Sequence, residues 1–436
     1  MSTELDNTNE KSKLSELETQ NYRQFKRLWF GQIISILGSE IVQFALIWWI
    51  TIETESAFLL SLSMFLAFIP AIIIGPFAGV LVDKWDKKKL VVITDLLQAL
   101  TTVMLILSFY LGFGSIWYII GLNFLRAVFQ SFHSPALMTI VSLMVPKEKL
   151  TRINGISQLF TALSQMLGPI FGALLMSVIP RIENILWVDV ITFLFAIILL
   201  IKVKIPKIEP EVKDLQSEQA FKAKFKEGFQ IIRNVKGLTT ILFLAMLANF
   251  LLMPINTQFS LFIYRDHSGT EMDMAFVSAG MQFAIVAGAI ASSAKKEWKN
   301  KVNIFLLGIL FTFIGIAIIA LTPYQQFWVM FVGSLIGFFG VPLLQTMLRT
   351  IIQVTIPPEA MGRVGSILRF MTSVAMPLGI ILSGPIADLI GIQYLFLSAA
   401  ILGIIVVGLT YAFSPIRHMN DSEFGKNITV VEPIEA

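Results

Sequence analysis

The chain has no cysteine among its 436 residues. That excludes a disulfide framework, a thiolate metal site and a cysteine nucleophile. It has only three histidines, His133, His267 and His418, too scattered to build a metal centre, and no metal site is expected. Charge is scarce too: Asp, Glu, Lys and Arg make up 14% of the residues, where a soluble domain has nearer 25%. There is no H-E-x-x-H, no G-x-S-x-G and no P-loop G-x-x-x-x-G-K-[ST]. Zinc hydrolysis, serine hydrolysis and ATP-driven pumping therefore have no sequence basis, and no enzyme activity is expected. The polar N-terminal segment lacks an apolar core, so no cleavable signal peptide is expected.

Apolar side chains dominate. Hydrophobic residues make up 56% of the chain, with 36 phenylalanines. Crossing the ~30 Å hydrocarbon core takes about 20 apolar residues in a helix. Twelve blocks qualify: 27–50, 57–82, 90–111, 115–143, 153–178, 184–203, 238–263, 273–294, 302–322, 325–354, 364–389 and 392–413. The expected fold is an all-α membrane protein with twelve transmembrane helices in two pseudo-symmetric six-helix bundles. Its expected parts are a tail over 1–26, a bundle over 27–203, a linker over 204–237, a bundle over 238–413 and a tail over 414–436. Met1 to Asn21 and Arg417 to Ala436 read as disordered. In the linker, Phe221, Phe225 and Phe229 recur at four-residue spacing, which suggests an amphipathic surface helix.

The net charge is +4, and its basic residues sit in short clusters between apolar blocks. That pattern argues for membrane topology and against nucleic-acid binding. With both termini cytoplasmic, the inner turns hold Lys84, Lys87, Lys88, Lys89, Lys147, Lys149, Arg152, Lys295 and Lys301, among others, whereas the outer turns hold only Arg181 and Arg265. The opposite orientation would violate the positive-inside rule.

The chain also repeats. A shift of 211 residues matches Pro146 with Pro357, Glu148 with Glu359, Arg152 with Arg363 and Gly168 with Gly379. Two six-helix halves around a central linker is a transporter plan, with a substrate site expected between the halves near the bilayer midplane.

The turn after the second block reads Gly79-x-Leu81-x-Asp83-Lys84-x-Asp86-Lys87-Lys88. It resembles the G-x-L-a-D-R-x-G-R-[KR] signature of the major facilitator superfamily. Asp86 stands where the family has Gly, and Lys84 and Lys87 replace Arg. Together with Gly75-Pro76 upstream, this is similar to the macrolide-efflux-like branch of drug:proton antiporters. Gly168-Pro169-Ile170-Phe171-Gly172-Ala173 resembles the antiporter motif G-P-x-x-G-G. Asn123 to Gln130, with Arg126, is similar to the family's intramembrane Arg motif.

The resemblance implies roles for these residues. Gly75, Gly79, Asp83, Lys84, Asp86 and Lys87, with Asp95 and Arg363, would form a conformational latch at the inner face. Gly168, Pro169 and Gly172 would form the antiporter kink, although a packing kink explains them equally well. Charges inside a bilayer are costly and usually functional. Glu40 and Arg126 both fall near the midplane, so they are expected to pair and to carry proton coupling. Asn123, Arg126, Gln130 and His133 form one polar stripe, and Gln32, Ser35, Ser39 and Gln43 form another. Asn249, Asn256 and Gln345 mark two more. Together they outline an expected substrate cavity at Gln43, Asn123, Gln130, His133, Asn249, Asn256 and Gln345. Asp189 reads as an end-of-helix structural group.

The reading that follows is a plasma-membrane transporter acting as a monomer among lipids. It uses no cofactor and draws on the proton motive force to export a small amphipathic organic substrate by alternating access. A lipid flippase or a solute importer on the same fold is the alternative.

Overall fold

The computed structural model describes residues 2–206, 229–235, 237–295 and 298–414. Phe221, Phe225 and the C-terminal tail lie outside the described residues, as do the side chains of Gly79, Asp83 and Lys84. Nearly all of what is described is helical. The helices are α1 Ser2–Thr54, α2 Ala57–Lys84, α3 Lys87–Tyr110, α4 Ile116–Met144, α5 Lys147–Val178, α6 Ile182–Ile201, α7 Leu238–Leu261, α8 Glu271–Ser293, α9 Lys301–Ala320, α10 Phe327–Thr355, α11 Pro358–Ile390 and α12 Ile392–Phe413. A π-turn, Phe262–Asp266, continues α7. Among the described residues, eleven helices are long and apolar enough to cross a membrane.

One expectation is corrected at the N-terminus. The segment read as a disordered tail continues α1 back to Ser2. Its Glu, Lys, Leu and Gln residues are good helix formers, and propagating an existing helix avoids the cost of nucleating one.

Local chemistry sets the helix starts. The Asp86 carboxylate caps α3 by accepting the Lys89 amide at 3.0 Å. Ser115 caps α4, and Thr270 with Asp273 forms a capping box on α8. Pro146 and Pro357 precede α5 and α11 as their N-caps. The two helices therefore start at matching points of the repeat, six residues earlier in each case than hydropathy alone suggests. The same offset carries α4 onto α10.

The chain divides into two compact units. The first is Met1–Thr54 with Ser63–Val212, and the second is Glu55–Leu62 with Lys213–Ala436. Inside the first, α1 packs on α5 and α6, and α3 packs on α4 and α6. Inside the second, α7 packs on α11 and α12, and α9 packs on α10 and α12. Adding six to each helix number of the first set gives the second.

Small residues permit the closest approaches. On α9 and α10, the backbones at Gly315 and Gly337 meet with no room for a Cβ. The first turns of α2 belong to the second unit. There Gln258 Nε2 donates to the Ala57 carbonyl at 3.0 Å and to Ser61 Oγ at 2.7 Å, and the Ser61 and Ser383 hydroxyls are 2.9 Å apart.

Candidate functional site: two polar rungs in the first unit

The ionisable groups inside the helices of the first unit gather at two levels. At one level, Asp189 of α6 is completely buried and collects three donors. Arg126 Nη2 of α4 lies 2.7 Å from Asp189 Oδ2. Thr102 Oγ1 of α3 donates to the same oxygen at 2.9 Å, and Ser39 Oγ of α1 donates to Oδ1 at 2.8 Å. A carboxylate out of water needs this kind of charge-assisted saturation.

At the other level, Asp95 of α3 is also completely buried. Its Oδ1 is 2.9 Å from His133 Nε2 of α4, and its Oδ2 accepts from Gln32 Nε2 of α1 at 3.4 Å. The contributors are separated by seven residues on each of three helices: Gln32 and Ser39 on α1, Asp95 and Thr102 on α3, Arg126 and His133 on α4. Two turns of helix rise about 10 Å, which sets the distance between the rungs.

Next to the Asp95 rung is a cavity of about 150 Å³ between α1, α4 and α5. Phe25, Trp29, Gln32, Leu137, Ser157 and Phe160 are among its lining residues. Trp29 Nε1 donates to Ser157 Oγ at 2.9 Å, and the Trp29 ring stands edge-on to Phe160 with centroids 5.4 Å apart. Gln32 therefore has two roles: it is a wall of the cavity and a partner of Asp95.

The profile of the Major Facilitator Superfamily matches residues 28–380. The chain belongs to this superfamily. It is a multi-pass membrane transporter and not an enzyme. It is 33% identical over 403 residues to Macrolide efflux protein A of Streptococcus pyogenes, an alignment covering 91% of this chain and 97% of the relative. The protein of the same name from Enterococcus faecalis is 33% identical over 331 residues, covering 74% and 99%. The Multidrug efflux pump Tap of Mycolicibacterium fortuitum is 22% identical over 393 residues, covering 88% and 94%. Among solved structures, a mutant of the nucleoside transporter NupG superposes with a TM-score of 0.70 at 12% identity, covering 89% of this chain and 99% of that one. A bacterial homologue of the iron transporter ferroportin gives 0.66 at 16%, covering 88% and 98%. At such identities the structures speak for the fold alone.

Several superfamily motif residues have partners other than those expected. Arg126 pairs with Asp189, not with Glu40. Ser39 faces α6, and the next residue, Glu40, is turned by 100° toward α5. There it meets the antiporter-like segment. A Cβ added to Gly168 would lie 2.6 Å from Glu40 Cβ, and one added to Gly172 would lie 2.7 Å from Phe44 Cδ1. Gly168 and Gly172 thus let the α5 backbone press against α1 at Glu40, with Pro169 inside the same helix. The repeat preserves this contact: a Cβ on Gly379 of α11 would meet Met253 Cβ of α7 at 2.8 Å.

Asp95, expected in the latch, stands early in α3. It lies about 12 Å into α3, paired with His133. Among the described residues, a Cβ at Gly75 would meet nothing within 4 Å. Asp86, the departure from the superfamily Gly, is the α3 cap. Lys88 donates to the carbonyls of Ile201 and Val203 at 2.7 Å each, which closes the end of α6. Lys87 opens α3 at its first position, and Arg363 lies in the opening turns of α11.

The expected cavity residues separate into two groups. His133 is buried, whereas Gln43 on α1, Gln130 on α4, Asn256 on α7 and Gln345 on α10 are exposed. Asn123 is half-buried, and Asn249 Nδ2 donates to the Ala245 carbonyl at 2.8 Å. Asp189, read from the sequence as an end-of-helix structural group, is the buried acid that Arg126, Thr102 and Ser39 meet.

Proposed function

We propose that this protein exports amphipathic drugs or metabolites of macrolide-like character, by alternating access, at the expense of the proton motive force. The observation that carries the reading is its identity of 33% to Macrolide efflux protein A over nearly the whole of both chains. The chemistry of the first unit supports it. Within its spans stand Glu40, Asp95, Arg126, His133 and Asp189, while the spans of the second unit carry Arg349, Arg369 and Asp388. Proton coupling needs titratable groups inside the membrane, and buried charges are retained there at a cost. One charge moving down 100 mV releases about 2.3 kcal/mol, which suffices to hold a drug gradient. The exposed Gln43, Gln130, Asn256 and Gln345 are polar groups on apolar helices, and such groups line water-filled paths rather than lipid. In this reading the protein works as a monomer in the plasma membrane, with both termini cytoplasmic and no cofactor.

The test is uptake of radiolabelled erythromycin into inverted membrane vesicles carrying the protein. Acidifying the vesicle lumen should drive uptake, and collapsing the gradient with a protonophore should stop it. Uptake no greater than in vesicles without the protein would overturn the macrolide reading, and uptake indifferent to the protonophore would overturn proton coupling.

A further inference from the structure

We propose that the Asp95–His133 pair is where the coupling proton binds, with the imidazole receiving it, and that Gln32 links this site to the adjoining cavity. The inference rests on the transport reading above and names the proton site within it.

His133 Nε2 stands 2.9 Å from Asp95 Oδ1, and the imidazole side chain is only 7% exposed. That oxygen and both imidazole nitrogens are buried without a hydrogen-bond partner among the described residues. A buried acceptor without a partner is costly, and a proton is the smallest ligand that would satisfy it. Protonation forms an N–H bond on the imidazole and breaks an O–H bond in the hydronium that delivers the proton. It converts a carboxylate beside a neutral imidazole, with net charge −1, into a neutral ion pair. Release reverses the step, and nothing is oxidised or reduced.

The surroundings separate this pair from the other charges. On α4, Arg126 lies two turns from His133 and is already occupied by Asp189 of α6. On α1 the partner is the neutral Gln32, and Glu40 lies two turns further on, against Gly168. On α5 no charged residue occurs between Arg152 and the end of the helix, and α2 has none before Asp83. Of the two rungs, the Asp189 rung is saturated with donors and the Asp95 rung has an open position.

The internal repeat supplies an independent argument. The 211-residue offset places Leu306 and Leu344 at the positions equivalent to Asp95 and His133, on α9 and α10. Both leucines are buried. The same helix pair thus packs in the second unit with two apolar residues. The fold itself does not require an acid and an imidazole there, and burying them is unfavourable unless they act.

Gln32 provides the link. It reaches Asp95 from the wall of the cavity, and the Leu137 and Val141 side chains that line the cavity follow His133 at four and eight residues on α4. A cavity of this size, with aliphatic and aromatic walls, accommodates one small ring. The apolar part of the exported amphiphile is the occupant that chemistry selects.

The experiment has two readouts on purified full-length protein. The first is proton uptake on a step from pH 8 to pH 5.5 in detergent, for wild type, His133→Gln and Asp95→Asn. Each variant should bind about one proton fewer per molecule than wild type, since an imidazole ordinarily changes charge in this range. Equal uptake overturns the proposal. The second readout is erythromycin flux in proteoliposomes, with and without a pH gradient. In both variants the stimulation by the gradient should disappear while gradient-independent exchange of erythromycin remains measurable. Gradient stimulation retained in His133→Gln, or loss of exchange together with stimulation in both variants, overturns the proposal in favour of a structural pair. Loss of stimulation in Glu40→Gln but not in His133→Gln places the proton on Glu40 instead. If wild type shows no gradient stimulation, the transport reading fails, and the proton count alone decides whether the pair binds a proton.

Discussion

Replacing Arg126 with leucine should destabilise the first unit severely, and replacing Asp189 as well should restore most of the loss. Asp189 is completely buried and Arg126 is only 13% exposed, with 2.7 Å between the charged atoms. Removing one partner of such a pair costs about 3–5 kcal/mol because it leaves an uncompensated charge. Thr102 and Ser39 still donate to the carboxylate, which places the expected loss toward the lower end. The double variant Arg126→Leu/Asp189→Leu removes both charges, and apolar replacements of buried pairs are often neutral. The second unit already holds Gly337 and Ala400 at the equivalent positions. Equilibrium unfolding of wild type, both single variants and the double variant in mixed micelles closes the cycle. A coupling of about 2 kcal/mol or more is expected, at the upper range for contacting residues. A loss below about 1 kcal/mol for Arg126→Leu, or a double variant no better than the sum of the singles, would refute the argument that this pair is one electrostatic unit.

Other expected outcomes are local. Asp86→Ala should cost about 1 kcal/mol through loss of the α3 cap, whereas Asp86→Gly should cost only a few tenths; amide exchange at Lys89 reports the difference. Gly172→Leu drives a side chain into Phe44 and should lower stability by about 1–3 kcal/mol, read as a fall in melting temperature; no fall would mean that α1 and α5 separate easily. Outside the spans, burial lowers the pKa of His267, against the opposing pull of Asp266. Its folded form therefore prefers the neutral ring. The stability it contributes is fully present above the unfolded value of about 6.5 and declines as pH falls from there toward the lowered folded value. Wild type should lose more melting temperature between pH 7.5 and pH 5.5 than His267→Phe does, and equal losses would refute the assignment.

The helices were legible because hydropathy and length suffice to mark a span, and the repeat was legible because Pro146 and Pro357 sit at equivalent helix starts. Partner choice was not. Arg126 and Glu40 share a depth, and depth is all that counting residues supplies. Which acid meets the guanidinium depends on the lateral order of helices and on rotation about each axis: α6 carries Asp189 to Arg126 and Thr102, while Glu40 turns toward α5. The N-terminal segment was misread for a different reason, since a polar composition separates soluble from membrane-embedded residues but not coil from helix.

The equal spacing of polar residues on α1, α3 and α4 has a mechanical consequence. Three rulers carry marks at the same interval, so their marks coincide at both levels or at neither. A slide of α4 along α3 that lengthens the His133 to Asp95 contact lengthens the reach from Arg126 to its acid by the same amount. A rotation swings both groups through the same angle. The two levels are therefore in phase, and a disturbance at one is transmitted to the other by the stiffness of the helices, over about 10 Å, with no chain of intermediate contacts.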